Sequence, residues 1–79
     1  MRYNPKDEEL MKKYPHYERV LDERFGLNSK ITNLDTFLTS DSFKKLSEDE
    51  KILLEKQNLV MKDYLSILDE RVEFYRNKK

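Results

Sequence analysis

The chain has 79 residues, of which 16 are basic, 16 are acidic and one is a histidine, and it contains no cysteine. A chain of this length forms at most one domain with a small core, and the lack of cysteine excludes disulfides as a source of stability. The neutral balance of charge argues against a dedicated nucleic-acid binder, and a single histidine leaves too few ligands for an ordinary zinc site.

The N-terminal segment, residues 1–14, is predicted to be a short helix. Asn4 is a good N-cap, and Pro5 suits the first helical position. Pro15 ends this helix at about Lys13, because the residue before a proline avoids helical backbone angles. We expect the segment to pack on a larger neighbour.

Residues 16–38 are predicted to form the first long helix, because their apolar positions recur at steps that place them on one helical stripe. The residues of this stripe are Tyr17, Val20, Leu27, Ile31, Leu34 and Leu38. Arg24 interrupts the stripe, and Gly26 costs about 1 kcal/mol relative to alanine inside a helix. Since the spacing continues across both positions, one helix is favoured over two.

Residues 40–46 are predicted to form a single helical turn, with Ser40 or Asp41 as its cap. Ser47 and Glu50 then have the spacing of a capping box, in which the serine oxygen accepts a hydrogen bond from the backbone of the glutamate. This motif predicts the start of the last helix.

The second long helix, residues 48–76, carries two stripes side by side. The first stripe consists of Leu53, Gln57, Val60, Tyr64, Ile67, Arg71 and Phe74. The second stripe consists of Leu54, Met61, Leu65, Leu68, Val72 and Tyr75. One antiparallel partner covers only a narrow seam, so a face this wide indicates two or more neighbours. We expect the first long helix to supply one, and the N-terminal helix or another copy of the chain to supply the rest.

The predicted fold class is all-α: an antiparallel hairpin of two long amphipathic helices, with a short N-terminal helix and a short helical turn in the connection. The whole chain, residues 1–79, is expected to be a single domain. No apolar run approaches the roughly 18 residues that span a bilayer, and the polar N-terminus has no signal-peptide core. We therefore expect a cytoplasmic protein without a membrane segment.

A set of short motifs runs from Glu18 to the end of the last helix. They are Glu18-Arg19-Val20, Phe37-Leu38, Phe43, Leu46, Leu53-Leu54, Gln57, Met61, Tyr64, Leu68 and Arg71-Val72. In this pattern the chain resembles a family of small, largely uncharacterised tailed-phage proteins first catalogued in crAss-like phages of gut bacteria. It departs from the family pattern at Arg24-Phe25-Gly26, and residues 1–14 have no counterpart. The resemblance implies a phage-encoded accessory protein in the bacterial cytoplasm and transfers no activity.

Gln57, Tyr64 and Arg71 recur at intervals of seven and form a polar ridge within the first stripe. An amide, a phenol and a guanidinium in a row can grip an anionic or nucleotide-like ligand, with the arginine making a bidentate contact. Alternatively, the three side chains bond with each other, with Arg24 or with acidic residues of the facing helix, and thereby fix the register. The second interpretation is the simpler one.

No arrangement of residues predicts catalysis, a metal site or a cofactor. His16 stands near no serine or cysteine nucleophile placed by a motif, and we interpret it as a surface residue. The five tyrosines are interpreted as packing residues rather than a base-stacking platform. The basic residues Arg76, Lys78 and Lys79 are interpreted as a solvated tail.

The favoured function is that of a non-enzymatic phage accessory protein that binds and inhibits a host protein of a defence or replication system. Its contacts are expected on the second stripe beside the N-terminal helix. The candidate partner or ligand contacts comprise these second-stripe residues together with the polar ridge: Gln57, Tyr64, Leu65, Arg71, Val72 and Tyr75. One alternative is an oligomeric sponge for a defence signalling nucleotide, in which Gln57 and Arg71 line a pocket between subunits. A second alternative is a virion or scaffold component.

Overall fold

The computed structural model describes residues 5–77, and all the regular structure in this range is helical. The helices are α1 (Pro5–Lys13), α2 (Pro15–Leu38), α3 (Asp41–Lys44) and α4 (Glu48–Arg76). No strand occurs within the described range, and the predicted all-α class is confirmed. No helix in it is long and apolar enough to cross a membrane.

The break between α1 and α2 follows from Pro15. Tyr14 takes an extended backbone conformation with φ −127 and ψ 96, and Pro15 occupies the first turn of α2. The backbone N–H of Tyr14 donates to the carbonyl of Leu10 at 2.7 Å, which closes the last turn of α1. The predicted end of this helix at Lys13 is confirmed, while its predicted cap, Asn4, lies outside the described residues.

The first long helix is continuous through Gly26. This residue does not have a positive φ, and a Cβ atom added to it would meet nothing within 4 Å. The prediction of one helix rather than two is therefore confirmed, and neither backbone strain nor a close approach requires the glycine.

Two serine caps shape the connection between the long helices. The Ser40 hydroxyl accepts from the backbone N–H of Phe43 at 3.2 Å and begins α3. The ring of Phe43 lies edge-on to that of Phe37, with ring centroids 6.1 Å apart. The Ser47 hydroxyl accepts from the backbone N–H of Glu50 at 3.2 Å and begins α4, as the capping motif predicts.

The core lies between α2 and α4, which run antiparallel and make most of the contacts between elements. Its buried apolar residues are Tyr17, Val20, Leu27, Ile31, Leu68 and Val72. The hairpin is a rod with extents of 50 × 22 × 15 Å and a radius of gyration of 16.2 Å. A compact chain of this length has a radius of gyration of about 12 Å. In this elongated shape, one long side of α4 is exposed.

Candidate functional site

The second stripe of α4 faces the inside of the hairpin. Leu68 and Val72 belong to the buried core, and Leu65 and Tyr75 are half-buried and pack against it. Three of the predicted contact residues, Leu65, Val72 and Tyr75, are therefore engaged within the chain. The expectation that the second stripe forms the docking surface does not fit this arrangement, because α2 already covers that stripe.

The first stripe of α4 faces solvent along its whole length. All of its members are exposed, and the apolar ones are Leu53 (64%), Val60 (66%), Ile67 (52%) and Phe74 (61%). The stripe spans about 32 Å of helix at 1.5 Å per residue. Beside it, Ile52 and Leu59 are exposed as well. Since solvated helix faces are normally polar, this row of exposed apolar side chains makes the face the candidate binding surface.

The polar ridge lies on this exposed stripe, so the structure brings Gln57, Tyr64 and Arg71 together on one accessible face. The pKa of the Tyr64 phenol is raised above its ordinary value, chiefly by the carboxylate of Glu23 on α2. The nearby positive charge of Arg71 acts in the opposite direction. Tyr64 and Arg71 are both exposed, so the phenol and the guanidinium face solvent.

Other polar residues tie α2 to α4. Arg24, which interrupts the α2 stripe, forms a salt bridge with Asp69. Farther along the hairpin, Asn58 donates to Asp35 at 2.8 Å, and Lys62 lies 3.2 Å from the same carboxylate. These two contacts lower the pKa of Asp35, with the Asn58 hydrogen bond as the larger cause. These contacts lie outside the polar ridge, and they help to fix the register between the two helices.

A buried hydrogen-bonded triad closes the open end of the hairpin. Tyr17 is fully buried, and its hydroxyl donates to Asp7 Oδ1 at 2.6 Å. Arg76 makes a two-point contact with Asp7, with Nε 3.2 Å from Oδ1 and a terminal nitrogen 3.0 Å from Oδ2. Burial and the Asp7 hydrogen bond raise the pKa of Tyr17. Arg76 is therefore a structural residue at this end, which corrects its interpretation as part of a solvated tail.

Aromatic rings surround the triad. Tyr75 lies 5.5 Å from Tyr14 and 5.4 Å from Tyr17 between ring centroids, and Phe74 contacts Tyr75 at 5.5 Å. The interpretation of the tyrosines as packing residues is confirmed for these three. It does not hold for Tyr64, which is exposed and lies outside the core, and Tyr3 lies outside the described residues. This cluster anchors α1 across the end of the hairpin.

A pocket of about 300 Å³ opens beside this cluster. Its lining residues are Leu21, Arg24, Asp69, Val72, Glu73 and Arg76. Both of its arginines already bind carboxylates, Arg24 with Asp69 and Arg76 with Asp7. An anionic ligand would have to displace one of these acids, so the pocket is a poorer anion site than the ridge. Within residues 5–77, no group of three His, Cys, Asp or Glu side chains is placed to hold a metal ion.

Taken together, the fold and this face define a class: a small all-α hairpin with an exposed helix face that combines apolar and hydrogen-bonding side chains. The profile of the Sequestin family matches residues 14–74, and the chain belongs to that family. The matched region begins at Tyr14, so α1 lies outside it. No curated protein and no solved structure matches the chain. The match supports a family of small sequestering proteins, while a phage origin stays a prediction.

Proposed function

We propose that this protein is a sponge that binds a small nucleotide-like signalling molecule and withholds it from its receptor. The observation that carries this proposal is that Gln57, Tyr64 and Arg71 lie together on an exposed face. Membership of a family named for sequestration supports it. The proposed setting is a bacterial cytoplasm in which a phage neutralises a defence signal.

Each ridge side chain offers a different interaction to such a ligand. The guanidinium of Arg71 can bind a phosphate through two parallel hydrogen bonds. The ring of Tyr64 offers a surface on which a base can stack, worth about 1–3 kcal/mol. The amide of Gln57 both donates and accepts, which suits the edge of a base or a sugar hydroxyl. Exposed Val60 and Ile67 flank these groups and would exclude water from the bound ligand.

Sequestration requires tight binding and no turnover, so no catalytic group is part of the proposal. One protein molecule removes a fixed number of ligands, and the effect on a signalling pathway scales with the amount of protein made. The proposed sponge is therefore non-enzymatic and acts stoichiometrically.

The test is a ligand-retention assay. Wild-type protein and the Arg71→Ala variant are purified from bacteria whose nucleotide-based defence has been triggered. The purified proteins are heated to release any bound ligand, and the supernatants are analysed by mass spectrometry and ultraviolet absorbance. We expect near-stoichiometric nucleotide from the wild type and about tenfold less from Arg71→Ala, because a charge-assisted bidentate contact is worth about 1.5–3 kcal/mol.

The matched control is Arg19→Ala, which removes an exposed arginine from α2 and not from the ridge. It should retain as much nucleotide as the wild type. Equal retention by wild type and Arg71→Ala, or no nucleotide from the wild type, contradicts the proposal.

A second candidate function is inhibition of a host protein, and the exposed apolar residues of α4 favour it. Leu53 and Val60 are each about two-thirds exposed, and such side chains are common anchors when a helix binds a protein groove. A host protein that copurifies in stoichiometric amount and is lost when Leu53 and Val60 are changed to serine, with no nucleotide present, would favour this function over the sponge.

A further inference from the structure

We infer that the first stripe of α4 is covered by α4 of a second copy of this chain, in antiparallel orientation, and that each ligand site is built from both copies. The inference deepens the proposed function, because it states how residues of the polar ridge from two chains come together.

The hairpin exposes more surface than a monomer of its mass normally does. Its accessible surface is 6126 Å², whereas a monomeric protein of 9.7 kDa exposes about 5,100 Å². The excess agrees with the elongated shape and with the exposed apolar residues of the first stripe. A partner that lies along the length of α4 would remove this surface from water, and an identical helix has the matching length and the matching apolar spacing.

Charge along the ridge selects the antiparallel orientation. Glu50 precedes Gln57 by seven residues, so it extends the line of the ridge, which is acidic at one end and basic at Arg71. In a parallel pair, Glu50 would face its own copy and Arg71 would face its own copy, and both contacts repel. In an antiparallel pair centred on Tyr64, Arg71 of each copy instead faces the neutral Gln57 of the other, so both repulsions are absent, and the helix dipoles also oppose favourably.

Charges that flank the stripe agree with this orientation. Lys56 and Glu70 are exposed and lie on the same edge of the first stripe. The midpoint between them lies close to Tyr64, the middle residue of the ridge. Antiparallel helices bring such edges together, so Lys56 of each copy would face Glu70 of the other. In a parallel pair this edge would instead face the second stripe, which is already packed inside the hairpin.

Spacing along one helix shows why a second copy is needed for the ligand site. Adjacent ridge residues are about 10 Å apart, and Gln57 and Arg71 about 21 Å apart, at 1.5 Å per residue. A compact nucleotide cannot contact Gln57 and Arg71 of the same chain. Antiparallel pairing near Tyr64 brings Arg71 of one copy to within about one helical turn of Gln57 of the other. The dimer therefore has two equivalent sites, on either side of the paired Tyr64 residues.

The first experiment measures assembly without any ligand. Analytical ultracentrifugation of the wild type should give twice the chain mass of 9.7 kDa. The double variant Val60→Asp, Ile67→Asp should give the mass of one chain with unchanged helix content by circular dichroism, because both side chains are exposed in the hairpin. The control Ser29→Asp, Asn33→Asp adds the same charge on the exposed side of α2 and should remain dimeric.

The second experiment measures orientation, using the absence of native cysteine. Gln57→Cys and Arg71→Cys variants are mixed, allowed to exchange subunits and treated with a short bis-maleimide. The antiparallel pair predicts that the mixture crosslinks several-fold more than either variant alone. A parallel pair predicts that each variant crosslinks efficiently to itself and that mixing adds nothing.

The outcomes separate this inference from the proposed function. A monomeric wild type at about 100 μM, a double variant that stays dimeric, or self-crosslinking of the single variants each overturns the inference, whatever the protein binds. Nucleotide retained by a monomer overturns the inference and leaves the sponge standing. An antiparallel dimer that retains no nucleotide supports the inference and contradicts the sponge. A host protein bound to the first stripe of a monomeric chain contradicts both.

Discussion

At the scale of single residues, the Tyr17 hydroxyl shows how a polar group can be buried at low cost. It lies in the core and donates to Asp7, whose carboxylate also accepts two hydrogen bonds from Arg76. A buried carboxylate without such partners would destabilise the fold by several kcal/mol. The triad joins the first and last helices, and it depends on the protonated form of the tyrosine.

The triad predicts a loss of stability at alkaline pH. The pKa of Tyr17 in the folded chain is raised above the ordinary value of 10.0, so the stabilisation is complete below pH 10.0 and is lost as the pH rises through the raised pKa. The free energy of unfolding of the wild type, measured with denaturant, should be lower at pH 11 than at pH 8. Tyr17→Phe should be about 1 kcal/mol less stable than the wild type at pH 8. Its free energy of unfolding should fall less than that of the wild type between pH 8 and pH 11.

Tyr75→Phe is the matched control, because it removes a phenol from the same aromatic cluster without touching the triad. It should keep the alkaline decline of the wild type. If Tyr17→Phe declined as steeply as the wild type, the Tyr17 hydroxyl would not be the group responsible.

At the level of one helix, α2 shows that a helix can continue through a residue of low helix propensity when its apolar stripe is packed. Gly26 has the lowest helix propensity of any non-proline residue, yet α2 runs unbroken from Pro15 to Leu38. Buried Leu27 and Ile31 follow it directly and pack against α4. Tertiary packing of the apolar stripe supplies more free energy than one glycine costs, so the helix continues.

Gly26→Ala should therefore stabilise the protein. The new methyl group meets nothing within 4 Å, and alanine is favoured over glycine by about 1 kcal/mol within a helix, which corresponds to a rise in Tm of about 4–8 °C. The control Ser29→Ala, also exposed on α2, should give a smaller rise, since serine is a better helix former than glycine. A lower Tm for Gly26→Ala would mean that another molecule approaches the helix at this glycine.

At the level of the whole molecule, only one of the two stripes of α4 is packed in the core of the hairpin. The second stripe makes the core with α2, and the first stripe stays exposed along the rod. A chain of 79 residues with so narrow a core is expected to gain stability from association. In the proposed dimer, assembly, ligand binding and stability are linked through one face of one helix.

Charge reversal across the proposed seam should test that linkage. Lys56→Glu or Glu70→Lys alone replaces two attractive contacts per dimer with repulsive ones and should weaken dimerisation about tenfold at low salt. Combining both reversals restores opposite charges across the seam and should return the dissociation constant to within about threefold of the wild type. The measurement is sedimentation equilibrium, and salt should reduce the differences.

Glu55→Lys is the control for this series, because it reverses an exposed charge of α4 on the side away from the first stripe. It should leave dimerisation unchanged. Weakening by each single reversal without recovery in the double variant would contradict the antiparallel contact between Lys56 and Glu70.

The local structure could be predicted from the order of residues alone. Pro15 ends α1, Ser40 and Ser47 cap α3 and α4, and apolar periodicity defines both long helices. These features depend on interactions within a few residues, so the order of residues is enough to predict them. The polar ridge was also found from spacing alone, because residues seven apart share a helix face in any tertiary context.

Which stripe of α4 is covered depends on tertiary packing. The two stripes lie about 100° apart on the helix, and periodicity cannot say which one meets α2. The second stripe is buried because its residues are uniformly apolar or aromatic, whereas burying the first stripe would remove the amide of Gln57 and the charge of Arg71 from water. The contact between Asp7 and Arg76 was likewise invisible, because the two residues are 69 positions apart and meet only when the hairpin closes.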